Sequence, residues 1–305
     1  MRAQQPFAQG GNWYKGNLHT HTTRSDGRRS PEEVVALYRQ GGYDFLALTD
    51  HRLYGYGKEF GSENFLLIPG MEMDFRDEQR QCDNHLVVFR SQPSARNYAD
   101  LDPVEPGPWQ GRPSCQRVID ALAAHDNFVV YCHPVWSRCE LEDFVDYDNL
   151  LGLEIYNYGC AVENRTGLAD LYWDSLLRRG KRVWGFATDD SHQAIDDFCG
   201  GYIMVQAEAL TEQAIVQSIA QGRFYSSTGP EVYDWGLADG RFYLRCSPAR
   251  SIHFVAYERH GQSFHAAEGG SITQAELPVE KPYVYVRAEV EDHQGRVAWT
   301  NPIFL

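Results

Sequence analysis

No apolar run in the 305-residue sequence reaches the roughly 18 residues that a membrane-crossing helix needs, so no membrane partner is expected. The opening stretch, MRAQQPFAQGGNWYKG, lacks the apolar segment of a secretory signal, and the expected location is the cytoplasm. The seven cysteines are odd in number and scattered, without a C-x-x-C pair. That argues against a disulfide framework or a structural zinc knuckle and leaves them as reduced packing residues. Positive charge is scarce: 28 Lys and Arg face 42 Asp and Glu, for a net charge of -14. A nucleic-acid surface is therefore not expected, because phosphate-backbone affinity comes largely from clustered basic residues. There is no internal repeat, no low-complexity segment and no G-x-S-x-G elbow around Ser25, Ser191 or Ser226 to suggest a serine nucleophile.

What remains suits a large core, with 43% hydrophobic and 13% aromatic residues. From residue 13 to about 206, short runs rich in β-branched and aromatic residues (DFLALTDH, NFLLIPGMEM, HLVVF, FVVYCHP, LLGLEIYN, RVWGFATDD) alternate with helical patterns. This alternation predicts parallel βα units. Ser30-Pro31-Glu32-Glu33 predicts a helix start, combining a cap serine, proline at the first helical position and acidic first-turn residues. SCQRVIDALAAHD, ENRTGLADLYWDSLLRRG and TEQAIVQSIAQG read as further helices, the last two stopped by glycine. After Gly229-Pro230 only alternating strands with turn signals remain. The chain is accordingly divided into residues 1–229 and a small antiparallel β module, residues 230–305. Nothing in the module's strands chooses between a subunit contact, a lid and a stabilising cap, and homo-oligomerisation is left open.

Chemistry concentrates in NLHTHTTRSDG. In a strand His19 and His21 share one face while Leu18 and Thr20 take the other, so two imidazoles converge beside Asp26. Convergent histidines with a hard oxygen nearby are a metal-site pattern, although an H-x-H alone is equally a surface or hydrogen-bonded pair. Later strands add to it. FLALTDH ends in Asp50-His51, LLIPGMEM carries Glu72, CDNHLVVF carries His85, FVVYCHP ends in His133, and VWGFATDDSH ends in Asp190-Ser191-His192. Singly, each is ordinary as a satisfied core residue. Together they are not, because so many buried polar groups left uncompensated would cost several kcal/mol apiece.

HTH with SDG, TDH, GMEM, HL, CHP and DSH, in this order over residues 15 to about 230, resemble the PHP (polymerase and histidinol phosphatase) hydrolases. YKGNLHTHT, GLEIYN and AWTNPIFL look most like a branch that includes carbaryl-hydrolase-like proteins. The resemblance implies an α/β fold, a distorted (β/α)7 TIM-like barrel, holding two to three divalent ions (Mn, Zn or Fe). In the implied division His19, His21, Glu72 and Asp190 hold one metal, and Glu72 bridges to a second held by His85 and His133. Asp26, His51 and His192 hold the third. Mixed imidazole and carboxylate donors suit such ions better than Cu(I) or Ca.

The implied activity is a metal-dependent phosphoesterase that uses a metal-bridged hydroxide on a small anionic substrate, a phosphorylated metabolite or nucleotide. Glu72, His192 and Arg138 are its catalytic candidates. Arg24, Arg138, Trp136 and Tyr156 are substrate-binding candidates, the arginines as phosphate donors and the aromatics as a wall for the leaving group. Two alternatives stand: a metal-dependent carboxylic or carbamate ester or amide hydrolase, and a non-catalytic metal-binding regulatory module. The amidohydrolases also open with H-x-H, but Glu72 and the terminal D-x-H suit them less.

Overall fold

A computed structural model describes residues 3–7, 10–55, 59–77, 82–92 and 111–305. The chain runs β1 (Asn12–Asn17), α1 (Pro31–Gln40), β2 (Phe45–Leu46), β3 (Leu66–Leu67), β4 (Gly70–Asp77), β5 (Cys82–Arg90), α2 (Arg112–Ala124), β6 (Asn127–Tyr131) and α3 (Leu141–Phe144). It continues through β7 (Gly152–Asn157), α4 (Tyr158–Asn164), α5 (Asp170–Arg178), β8 (Trp184–Thr188), β9 (Tyr202–Ala207), α6 (Glu212–Ala220) and β10 (Phe224–Ser227). Eight strands follow: β11 (Val232–Ala238), β12 (Arg241–Ala249), β13 (Ser251–Ala256), β14 (Gln262–His265), β15 (Ile272–Pro278), β16 (Tyr285–Glu291), β17 (Val297–Thr300) and β18 (Ile303–Phe304).

Local signals act where expected. Ser30 and Glu33 form a reciprocal capping box at α1, with Pro31 in its first turn. Thr211 caps α6 through the backbone N–H of Ala214. Gly180 and Gly222, just past α5 and α6, take positive φ. The stretch ENRTGLADLYWDSLLRRG differs: its first two residues end α4, Arg165 caps that helix in the left-handed conformation, and α5 starts only at Asp170. Gly167 then packs against Asn157, whose carbonyl oxygen would lie 2.1 Å from an added Cβ, so only glycine fits.

The fold is mixed α/β and rich in sheet. One sheet has the order β4-β5-β6-β7-β8, and a larger one runs β14-β13-β16-β17-β10-β9-β1-β2-β3 with β18 on β16. Strands β11, β12 and β15 form a third. The expected closed barrel of parallel units is corrected in two respects. Among the described residues no ladder closes a ring; the first two sheets meet through isolated parallel bridges, Thr20 to Ser191 and His51 to Glu72. And β4–β5, β5–β6 and β1–β9 are antiparallel, whereas β1–β2, β2–β3, β6–β7 and β7–β8 are parallel. The connection from β4 to β5 is too short for the crossover a parallel pair needs.

Both bridges lie where chain leaves a strand, and this gathers the ends of β1, β2 and β8 around β4. Leu18, Phe45, Ile68, Val87, Val130, Cys132 and Phe186 fill the space beneath in one apolar cluster. At the other boundary Trp173 of α5 shares a cluster with Tyr285 and Trp299 of the C-terminal strands. Six of the seven cysteines are buried as free thiols, Cys199 being partly exposed. Among the described residues no helix is long and apolar enough to cross a membrane.

Candidate metal centre

β1 ends at Asn17, but the chain stays extended through the Thr20 bridge, so His19 and His21 do emerge on one side while Leu18 enters the core. Both imidazoles are fully buried. The turn that follows is held by Asp50, whose carboxylate accepts from Thr22 N (2.7 Å), Thr22 Oγ1 (2.8 Å) and Ser25 Oγ (2.8 Å). Asp50 thus positions the motif and is not one of the converging donors. Gly27 packs directly on the His21–Thr22 backbone, 2.7 Å from where its Cβ would be. Glycine at this position folds the SDG turn back so that Asp26 faces His21.

Glu72, on β4, is the hub. Its Oε1 lies 2.6 Å from His85 Nδ1 and 3.3 Å from His133 Nε2. Its Oε2 faces His19 Nε2 at 3.3 Å, His21 Nε2 at 3.1 Å and His51 Nδ1 at 3.4 Å. Asp190 Oδ1 sits 3.1 Å from the Nε2 atoms of both His19 and His21, and its Oδ2 lies 3.7 Å from His133. On the outer side Asp26 approaches His21 (3.5 Å), His51 (3.6 Å) and His192 (3.3 Å). All nine anticipated donors therefore meet in one place. Their grouping is more interlocked than expected: His19, His21, Glu72 and Asp190 form one set, His21, Asp26, His51 and His192 another, and His51, Glu72 and His85 a third. His21 and His51 each belong to two sets, and His133 approaches Glu72 from the side opposite His51.

The geometry fits a metal better than a hydrogen-bond network. His19 Nε2 and His51 Nδ1 are buried without an aligned hydrogen-bond partner, despite carboxylate oxygens close by. Ligands about 2.1 Å from one ion stand about 3.0 Å apart at right angles and about 3.4 Å apart at tetrahedral angles. The spacings of 3.1 to 3.3 Å among His19, His21, Glu72 and Asp190 fall in that window. Backbone strain concentrates here too: His133 and Asp190 take φ of 25° and 54°, conformations that non-glycine residues hold only when surrounding structure enforces them.

The enforcement comes from residues that the sequence reading did not single out for the site. Glu154, in the middle of β7 and fully buried, accepts from His19 Nδ1 at 2.6 Å, from Thr188 Oγ1 at 2.7 Å and from the backbone N–H of His133 at 3.0 Å. Asn157 donates to both Glu154 and Asp190. Asp197 accepts from Ser191 Oγ and from the backbone N–H groups of His192 and Gln193, which fixes the terminal D-x-H. Ser137 lies 3.0 Å from His133 Nδ1. Such partners orient ligands and set which ring nitrogen is free. Glu154 was visible in the sequence as a lone carboxylate inside the apolar run LLGLEIYN. Glu154→Gln, which retains shape but not charge, is expected to weaken metal affinity roughly 10- to 100-fold in a competitive chelator titration. Unchanged affinity would show that His19 needs no anchor.

Electrostatically the cluster compensates itself. Burial disfavours charge on His19, yet Asp190, Glu154 and Glu72 outweigh it and hold His19 well above its ordinary pKa. Burial likewise opposes charge on His21, and hydrogen bonding to Asp190 and Glu72 still raises it to about 9. His85 and His192 are raised in the same way, chiefly by Glu72 and Asp26 respectively, against the burial that opposes them. Conversely Glu72, Asp190 and Asp26 lie well below the carboxylate range, where neighbouring histidines overcome burial. A histidine raised to about 9 carries a proton at neutral pH, and a metal ligand must be neutral. Metal uptake is therefore expected to release protons and to tighten as pH rises from about 6 to about 8. Adding Zn or Mn to weakly buffered protein with a pH indicator measures this; uptake without acidification would mean that the histidines are not the ligands.

A cavity of about 370 Å³ opens over the cluster, lined by seven of the nine donors, His19 and His21 lying beneath, and by Trp136, Cys160, Glu163, Ala194 and Ile195 among others. Of the substrate candidates only Trp136 lines it. Arg24 and Arg138 are exposed on turns, Arg138 with left-handed backbone that carries it past the rim. Tyr156 stacks on Trp299 at 5.9 Å, so it packs β7 against the C-terminal strands. No lysine or arginine is among the described residues that line the cavity.

Sheet order and donor cluster together define a mixed α/β protein with a buried, multi-set His/Asp/Glu centre. In fold it is similar to a two-domain protein from Bacteroides vulgatus ATCC 8482 containing a predicted PHP-like metal-dependent phosphoesterase, with a TM-score of 0.51 and 14% identity over 99% of this chain and 98% of that one. A fainter likeness, TM-score 0.41 at 13% identity over 68% of this chain and 96% of the other, is to an amidohydrolase from Chromobacterium violaceum solved with bound sulfate and no metal. By sequence the chain is 36% identical over 78 residues to DNA polymerase/3'-5' exonuclease PolX of Bacillus subtilis (strain 168). That stretch is 20% of this chain and 14% of the polymerase, so most of the relative has no counterpart here. No protein-family model matches the chain.

Proposed function

We propose that this protein is a metal-dependent hydrolase, and specifically a phosphoesterase acting on a small phosphorylated metabolite or nucleotide. Its first two sheets are read as a distorted (β/α)7 barrel left open where they meet, with residues 230–305 as an appended β module. The observation that carries the reading is the pair of Glu72 oxygens, one facing His85 and His133 and the other facing His19, His21 and His51. A carboxylate so shared suits a bridge between ions. His19, His21, Glu72 and Asp190 would hold one ion, His85 and His133 with Glu72 a second, and Asp26, His51 and His192 a third.

When bound, such ions supply Lewis acidity towards the ester and lower the pKa of water. The chain's own residues prepare the ground. Glu154 holds the His19 proton at Nδ1 and leaves Nε2 free. Trp136, Cys160, Ala194 and Ile195 give one side of the cavity an apolar lining. Because no lysine or arginine is among the described residues that line it, charge complementary to a phosphate dianion is read as coming from the centre itself, which favours more than one ion. The same lack of fixed cations also favours a second reading, hydrolysis of a neutral carboxylic or carbamate ester or amide.

Elemental analysis after reconstitution with Mn, Zn or Fe should find two to three equivalents, since nine donors exceed what one ion can use. The loaded protein should then turn over phosphate monoesters ahead of phosphodiesters and carboxylic esters. A stoichiometry held at one or below would sink the shared centre. Turnover of carboxylic esters alone would select the second reading, and full loading without turnover would leave a non-catalytic metal-binding module.

A further inference from the structure

Beyond the donors, the cavity wall has a consistent chemical character. Trp136, on the turn after β6, donates its indole N–H to Glu163 Oε2 on α4 at 2.8 Å, and both residues line the cavity. The indole stands edge-to-face with His133 and His85, ring centroids 5.2 and 6.0 Å away, so the pair borders the centre directly. Ala194, Ile195 and Cys160 continue this wall with apolar surface. Its other carboxylate, Asp197, is buried and occupied by Ser191, His192 and Gln193. Glu163, by contrast, is exposed. Beyond the donors, Glu163 is therefore the carboxylate among the described lining residues that faces open solvent, with no lysine or arginine among them beside it.

We infer that Trp136 and Glu163 form a leaving-group subsite that accepts a neutral or cationic alcohol and rejects one carrying a second anionic group. This rests on the hydrolase reading and narrows its substrate class to phosphate monoesters of small apolar or amino alcohols, away from bisphosphates and nucleoside polyphosphates. A cationic group gains from the carboxylate and from the indole face, whereas an anionic one is repelled by the same carboxylate.

Three phosphate monoesters that differ in leaving-group charge test this on the metal-loaded protein: those of 2-(trimethylammonio)ethanol, propanol and glycolate. Turnover is measured as kcat/KM, and binding of the three matching phosphonates by calorimetry. The cationic member should exceed the anionic one by roughly tenfold or more in both measurements, as expected for one partly screened charge. Glu163→Gln keeps an acceptor for the indole but removes the charge and should erase most of that ratio; Glu163→Lys should invert it. An order that favours the glycolate ester, or a ratio unmoved by both variants, overturns the subsite. Phosphonate binding with the predicted order but no ester turnover would overturn the phosphoesterase reading and leave the subsite standing. If none of the three phosphonates bound, both would fall.

Discussion

Glu72→Ala is expected to lower turnover on the best substrate by about 10³-fold or more and to cut bound metal by more than one equivalent, while the protein stays folded. The reason lies in its two oxygens, which between them face five imidazoles. Glu72 belongs to two donor sets and faces His21 and His51 of the set that holds Asp26, so its loss is not confined to one ion. Without metal the variant also leaves those histidines short of their central counter-charge, a change worth on the order of 3 kcal/mol in a buried cluster. A near-wild-type rate, with metal content intact, would show that Glu72 serves the fold and not the centre. Circular dichroism with and without metal separates that outcome from simple unfolding.

The second large effect separates the two ester classes. His192→Ala should reduce phosphate monoester turnover by about 10²-fold, and carboxylic ester turnover by much less. A planar carbonyl develops one oxyanion, whereas a phosphate monoester brings several charged nonbridging oxygens that need further positive charge. Asp26, His51 and His192 form the outermost donor set, at the open side of the cavity where those oxygens would lie. His192 also stacks on His21 with ring centroids 4.2 Å apart, so its removal could loosen the inner set as well. The ratio of losses on the two ester classes, measured at saturating metal, distinguishes these effects. Equal losses would assign His192 to supporting His21, and would favour the carboxylic ester reading.

The nine candidate donors could be read from the sequence because, although each is ordinary alone, together they recur beside one apolar run after another. A histidine or carboxylate at the end of an apolar run costs free energy unless something compensates it, and the repetition at strand after strand points to a common cause. The helix starts at Ser30 and Thr211 were equally readable, since a cap is made by neighbours in the chain. What could not be read depends on partners far away in sequence. Glu154 acts through His19, 135 residues earlier, and nothing near it in the chain distinguishes an anchoring carboxylate from one at a sheet edge. The break between α4 and α5 turns on Arg165 taking a conformation that usually announces itself with glycine.

The sequence by itself determined the chemistry on offer, namely a set of imidazoles and carboxylates on a strand-rich α/β chain with little positive charge to share. Tertiary structure alone decided how that set is divided. The bridges from Thr20 to Ser191 and from His51 to Glu72 bring the strand ends within one ion's reach of each other and let His21 and His51 serve two groups at once. It also decided that Arg24, Arg138 and Tyr156 stay off the cavity wall and that Glu163 joins Trp136 on it. Residue type and spacing carry reactivity and local direction, but convergence is a property of how strands are ordered and how their connecting turns are aimed, and these are settled by packing between distant segments.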